Sequence, residues 1–156
     1  MGRVSGMEAG EVSRKPNLPY DVRQECLWIV RGYDRRVKAY HEARRQIIDG
    51  TACGDGMPRK PGVGRPAESK AEQLAAIEDW PETQKMRAVE RAKLHIGEDI
   101  QSEELRQRLA EGIWLNCMSH KRYPYMLLNL PGISEHGFKR RKAAFLSDIA
   151  EFLRII

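Results

Sequence analysis

Residues 127–142 read LLNLPGISEHGFKRRK, a short apolar run followed by a turn and the start of a basic helix. Gly132 follows Pro131, and glycine supplies the positive φ that a tight turn between helices often needs. Ser134 then stands where its hydroxyl can accept a hydrogen bond from a free backbone N–H of the next helix. The stretch therefore predicts a helix-turn-helix over residues 123–153.

The second helix of this motif divides into two faces when its residues are placed at about 100° intervals. One face is apolar and holds Phe138, Phe145, Ile149 and Phe152. The opposite face holds His136, Arg140, Ala143 and Ser147, with Lys139 on a flank. Such a helix can pack on its apolar face and present the other to the major groove of DNA. An amphipathic helix with a solvated basic face is the alternative that the pattern leaves open.

The positive charge of the chain is concentrated around this motif. The whole sequence has 27 Lys and Arg against 22 Asp and Glu, a formal net charge of +5. Between residues 118 and 147, Glu135 is the one acid, and the six basic residues are Lys121, Arg122, Lys139, Arg140, Arg141 and Lys142. Positive charge at this place favours double-stranded DNA as the partner, because phosphates need neutralising there.

Composition predicts an all-α protein. Charged residues make up 31% of the chain, β-branched residues are sparse, and no stretch alternates strictly between polar and apolar side chains. Cys26, Cys53 and Cys117 lack CxxC spacing, which argues against a disulfide framework or a structural zinc site and suits the cytoplasm. No apolar run has the length of a membrane span, so no membrane partner is expected.

The N-terminal part is predicted to contain a disordered leader, residues 1–16, and a long helix within residues 17–50. Asn17 is the expected N-cap of this helix, which runs from Pro19 to Asp49. Its apolar seam is spaced by fours and threes and comprises Cys26, Val30, Tyr33, Val37, Tyr40 and Ile47. Trp28 and Ile29 are expected to widen this apolar face. The seam is compatible both with packing inside a helical bundle and with a homodimeric coiled coil.

Residues 51–68 are rich in Gly and Pro and are predicted to be a linker. The capping box of Ser69 and Glu72 is expected to start the next helix and with it a helical DNA-binding domain, residues 69–156. Trp80-Pro81 should end or kink that helix. A short helix opened by Tyr123-Pro124 is expected to be the first helix of the helix-turn-helix.

The sequence contains no convincing catalytic or metal-binding constellation. His41, His95, His120 and His136 occur without the spacing of a metal motif, and Ser134 has the context of a helix cap. We therefore expect a protein that is not an enzyme and has no cofactor.

The order of these segments resembles a family, the phage and prophage late-gene transcription activators of the RinA/ArpU type. The likeness covers the N-terminal helix, the Gly/Pro loop, the restart at 68–72 and the closing segment from Gly132 to Leu153. The closing segment is also similar to the DNA-reading helix of region 4 of bacterial sigma factors.

The resemblance implies a DNA-binding activator of phage packaging and morphogenesis genes, acting in the bacterial or host cell cytoplasm. It also raises RNA polymerase as a protein partner. By this likeness, the operator-reading helix would contain Ser134, His136, Lys139, Arg140 and Arg141.

Two other classes of protein remain as alternatives. A small terminase subunit, or another phage DNA-packaging assembly protein, also joins a helix-turn-helix to oligomerising helices, and a ring of eight or more subunits would favour it. A helical protein-interaction module would not retain duplex DNA at physiological salt.

Overall fold

The computed structural model describes residues 18–50, 66–119 and 125–156, and within these ranges the chain is all-helical, as the sequence predicts. No strand occurs in the described residues. In the described residues, one turn of 3-10 helix, Tyr125–Leu128, stands among six α-helices. The α-helices are α1 Tyr20–Arg31, α2 Tyr33–Asp49, α3 Pro66–Glu78, α4 Pro81–Leu94, α5 Glu103–Met118 and α6 Glu135–Phe152.

The chain divides into two compact units whose limits differ from the predicted boundaries. The first unit contains the chain up to Arg31 together with Ala88–Ile156, and the second unit is Gly32–Arg87. The predicted segment 17–50 is thus shared between the two units. The leader 1–16, Asn17 and most of the linker 51–68 lie outside the described residues.

The predicted helix from Pro19 to Asp49 is two helices, α1 and α2, which meet at Gly32. Gly32 has φ −88° and ψ 4°, outside the helical region, and no side chain caps α2 there. A Cβ atom on Gly32 would lie 2.7 Å from Nη1 of Arg36, so the Arg36 side chain occupies the space that glycine leaves open. The break between α1 and α2 therefore reflects two things: the low helix propensity of glycine and the Arg36 side chain packed against Gly32.

The core of the first unit is formed where α1, α5 and α6 pack against one another. Its fully buried side chains include Cys26 and Val30 from α1, Leu109, Ile113 and Cys117 from α5, and Phe145 and Ile149 from α6. Ile29 is buried as predicted, but Trp28 is 61% exposed and does not widen the buried face. The Trp28 ring lies instead beside the Arg31 guanidinium, 5.6 Å from it.

The second unit contains the other four residues of the predicted seam. Tyr40, Ile77 and Met86 form its buried cluster, and the side chains that pack against this cluster are Tyr33, Val37, Ala43 and Ile47. The Tyr40 hydroxyl donates to the Glu78 carboxylate, and Nη2 of Arg87 donates to the Tyr40 oxygen at 2.9 Å. These contacts place this part of the seam against α3 and α4 within the second unit.

Three helix starts show how local signals place the remaining elements. α3 begins at Pro66, three residues before the capping box at Ser69, because proline suits the first turn of a helix. α4 begins at Pro81, where the sequence predicts an interruption. Ser102 caps α5 by accepting a hydrogen bond from the backbone N–H of Leu105 at 3.3 Å.

The first helix of the predicted helix-turn-helix is the 3-10 turn Tyr125–Leu128, and Tyr123-Pro124 lies outside the described residues. This turn packs against α5. The Leu128 side chain comes so close that a Cβ atom on Gly112 of α5 would lie 3.2 Å from Leu128 Cδ1.

Candidate nucleic-acid interface

The start of α6 is fixed by a turn and a side-chain cap. Gly132 has φ +81°, a conformation that glycine adopts without strain, and the backbone N–H of Ile133 donates to the Leu130 carbonyl at 3.2 Å. The Ser134 hydroxyl accepts a hydrogen bond from the backbone N–H of Gly137 at 3.0 Å. Ser134 therefore acts as the N-cap that the sequence predicts.

The first two turns of α6 combine a buried anchor with exposed basic side chains. Phe138 is only 3% exposed, and its ring lies 5.8 Å from the ring of Tyr125. His136, Lys139 and Arg140 are exposed, and we call these three residues the exposed basic face. Because Phe138 holds this part of the helix, the exposed basic face has a fixed orientation in the first unit.

Beside this face lies a pocket of about 620 Å³, the basic pocket. Four cationic side chains line it, namely Arg23, Lys139, Arg140 and Lys142. Apolar side chains of Leu18, Phe138, Ala143 and Leu146 also line it, together with Asn116, Tyr125, Glu135 and His136. The pocket is thus lined by side chains of both α1 and α6. Four of the predicted DNA-binding residues line it, namely His136, Lys139, Arg140 and Lys142.

Arg23 is the binding candidate that the sequence did not reveal. It belongs to α1, far from α6 in the sequence, and it is exposed. Its neighbours in the sequence include Asp21 and Glu25, so no run of basic residues marks it.

Arg141 is placed differently from the other predicted reading residues. Its Nη1 and Nη2 atoms donate to the two carboxylate oxygens of Asp99 at 2.8 and 2.7 Å. The hydrogen bonds from Arg141 hold the pKa of the Asp99 carboxyl below its usual value. Arg141 does not line the basic pocket with Arg140. The two hydrogen bonds from Arg141 to Asp99 anchor α6 to the loop before α5.

The predicted polar face of α6 is also shorter than expected. The sequence predicts Ser147 on the face of Arg140, but Ser147 is fully buried, and its Oγ has no hydrogen-bond partner among the described residues. Ala143 is half-buried and lines the basic pocket. Beyond the second turn, α6 packs Phe145 and Ile149 into the core and exposes only Glu151, so its exposed basic side chains all lie near its beginning.

Glu135 is the acidic residue of this site, and it neutralises little of the positive charge there. Glu135 Oε2 lies 3.7 Å from Nζ of Lys139, and both side chains are at least half exposed. Exposed pairs of this kind contribute about 0–1 kcal/mol, so Lys139 can exchange Glu135 for a phosphate. The predicted contacts Lys121 and Arg122 lie outside the described residues.

Two kinds of feature are absent from the part of the chain that the structure describes. There, no group of three or more His, Cys, Asp or Glu side chains could hold a metal ion. Among the same residues, no helix is both long enough and apolar enough to cross a membrane. Comparison with protein-family models, curated proteins and solved structures finds no match to this chain.

Proposed function

We propose that this protein is a sequence-specific double-stranded DNA-binding transcription regulator, not an enzyme, and that α6 is its reading helix. The observation that carries the proposal is the contrast along α6. Its first two turns expose His136, Lys139 and Arg140, whereas its later turns contribute Phe145 and Ile149 to the core and expose only the acidic Glu151. Recognition helices contact base edges chiefly with their N-terminal residues.

Within this proposal, Arg140 reads a base and the lysines hold the backbone. An arginine can donate two hydrogen bonds to O6 and N7 of guanine, which no other base presents in the same pattern. Lys139 and Lys142 flank Arg140 and line the same pocket, so they contact phosphates. Arg141, held by Asp99, fixes the rotation of α6 that makes this division possible.

The finer layout of the protein belongs to the same proposal. The turn at Pro131 and Gly132 with α6 forms the second half of a helix-turn-helix, and the 3-10 turn Tyr125–Leu128 stands in for the first helix. The similarity of this layout to the RinA/ArpU type supports a role as activator of phage or prophage late genes. RNA polymerase remains the expected protein partner of such an activator.

The test is a comparison of specific with non-specific binding. Repeated rounds of binding to a random duplex library would isolate the preferred site. Arg140→Ala should then weaken binding to that site by roughly 1–3 kcal/mol and weaken binding to scrambled duplex much less. Lys142→Ala should weaken both by the same factor, because phosphates are the same in any sequence.

A control variant is available on α5. Arg108 is a surface arginine of the first unit that pairs with Glu104 at 2.9 Å and does not line the basic pocket. Arg108→Ala should leave both affinities unchanged. An unchanged ratio of specific to non-specific affinity in Arg140→Ala would show that Arg140 does not read DNA. Failure of the unmodified chain to enrich any sequence would overturn the proposed function as a whole.

A further inference from the structure

We infer that α1 is a second DNA-contacting element and that Arg23 binds a backbone phosphate of the strand that passes over the basic pocket. This inference rests on the proposed function, because it assumes that α6 meets duplex DNA. It adds a residue that neither the helix-turn-helix pattern nor the basic run 139–142 indicates.

The two arginines of α1 have different surroundings, which separates a structural role from a binding role. Arg31 donates from Nε to the Cys117 carbonyl at 2.9 Å and from Nη2 to the Ser119 carbonyl at 3.3 Å. Arg31 therefore ties α1 to the end of α5. Arg23 is exposed, and no ion pair joins it to a carboxylate of the described residues. The Arg23 guanidinium can bind an anion without breaking a contact that holds the first unit.

The lining of the basic pocket fits a segment of sugar-phosphate backbone. Its charged groups are Arg23, Lys139, Arg140 and Lys142 against the single carboxylate of Glu135. Asn116 and Tyr125 add side chains that can donate hydrogen bonds to phosphate oxygens. The apolar side chains, among them Phe138 and Leu146, suit the carbon atoms of deoxyribose. A neutral peptide lacks the repeated negative charge of this backbone, and an acidic protein lacks its apolar sugars.

The position of Arg23 on another helix favours a phosphate contact over a base contact. A helix that enters the major groove reads bases from its own exposed face, here with Arg140, while the flanking Lys139 meets a phosphate. A cation presented from a neighbouring helix at the side of that face meets the backbone that borders the groove. Arg23 and Lys142 are the pocket cations that lie outside the exposed basic face.

The test measures the salt dependence of binding to a random-sequence duplex for three variants. Arg23→Ala should reduce the magnitude of the slope of log K against log salt by about one, because one fewer phosphate is neutralised. Arg23→Lys should keep the slope of the unmodified chain, since the charge is retained. Arg108→Ala, the surface control on α5, should also keep that slope. Thermal melts should be the same for all four proteins, which would exclude unfolding as the cause.

The possible outcomes separate this inference from the proposed function. If the unmodified chain binds with a salt slope and Lys142→Ala reduces that slope, but Arg23→Ala does not, only the role of Arg23 fails. If the unmodified chain shows no salt-dependent binding, the proposed function fails first. Adenosine monophosphate serves as a probe for a small-ligand pocket. If Arg23→Ala abolishes its binding and leaves the DNA slope unchanged, the pocket holds a nucleotide and the inference is overturned.

Discussion

Replacing Ser147 by alanine is expected to stabilise the protein. Ser147 lies in α6 with 0% exposure, and its Oγ has no hydrogen-bond partner among the described residues. Burying a hydroxyl without a hydrogen bond costs about 1–3 kcal/mol in proteins. Alanine also has a higher helix propensity than serine, by a few tenths of a kcal/mol. Against these gains stands the loss of the packing contacts of one oxygen atom.

The net expectation is a rise of about 1–2 kcal/mol in the free energy of unfolding of Ser147→Ala. A second serine in the same segment provides a matched control of opposite sign. The Ser134 hydroxyl accepts a hydrogen bond from the backbone N–H of Gly137, so Ser134→Ala should lower the free energy of unfolding by about 1 kcal/mol.

Urea denaturation followed by far-UV circular dichroism would measure both changes, with equal m-values required for the comparison. DNA affinity should be unchanged in Ser147→Ala, because a buried side chain cannot meet a phosphate or a base. A destabilised Ser147→Ala variant would show that the hydroxyl has a partner. A variant that is stable but binds DNA less tightly would return Ser147 to the reading face and refute the burial argument.

Three further predictions concern the anchor, the seam and the thiols. The folded-state pKa of Asp99 lies below its usual value of 3.8 because Arg141 donates to it. The stability that this pair adds should therefore be fully present above pH 3.8 and be lost as the pH falls through the lowered folded-state pKa. Asp99→Asn should lack this acid-dependent component in unfolding measurements. Val37→Asp should lower the free energy of unfolding by about 1–3 kcal/mol, since Val37 packs inside the second unit. The mass in light scattering should not change, and loss of a dimer at unchanged stability would contradict this prediction. Burial raises the pKa of Cys26 and Cys117 to about 11, so peptide mapping should find both alkylated only after unfolding.

Much of the fold follows from signals that act within a few residues. The cap at Ser134, the turn at Gly132 and the helix start at Pro81 all depend on local backbone chemistry, and the sequence predicts each of them. The break at Gly32 does not follow in the same way, since glycine is tolerated inside helices. It depends on the Arg36 side chain and on the different cores that α1 and α2 join.

The candidate site likewise has a part that local signals predict and a part that depends on tertiary packing. A helical wheel suffices to place His136, Lys139 and Arg140 away from Phe138, because the 100° step is a local property. It cannot say which other faces neighbouring helices cover, and this is why it wrongly predicts Ser147 on the surface. The partner of Arg141 is Asp99, 42 residues earlier. Such pairs, and the arrival of Arg23 beside α6, depend on tertiary packing that no spacing rule encodes.

The central claim, that the beginning of α6 and its pocket bind duplex DNA, is tested most directly by titrating the unmodified chain with a random-sequence duplex across a range of salt. Three cations of the basic pocket, Arg23, Lys139 and Lys142, are assigned to phosphates, and each neutralised phosphate contributes about −0.9 to the slope of log K against log salt. We predict a slope of about −3, or steeper if Lys121 and Arg122 also contact phosphates. A slope near zero, or no retention on duplex DNA at physiological salt, would contradict the account.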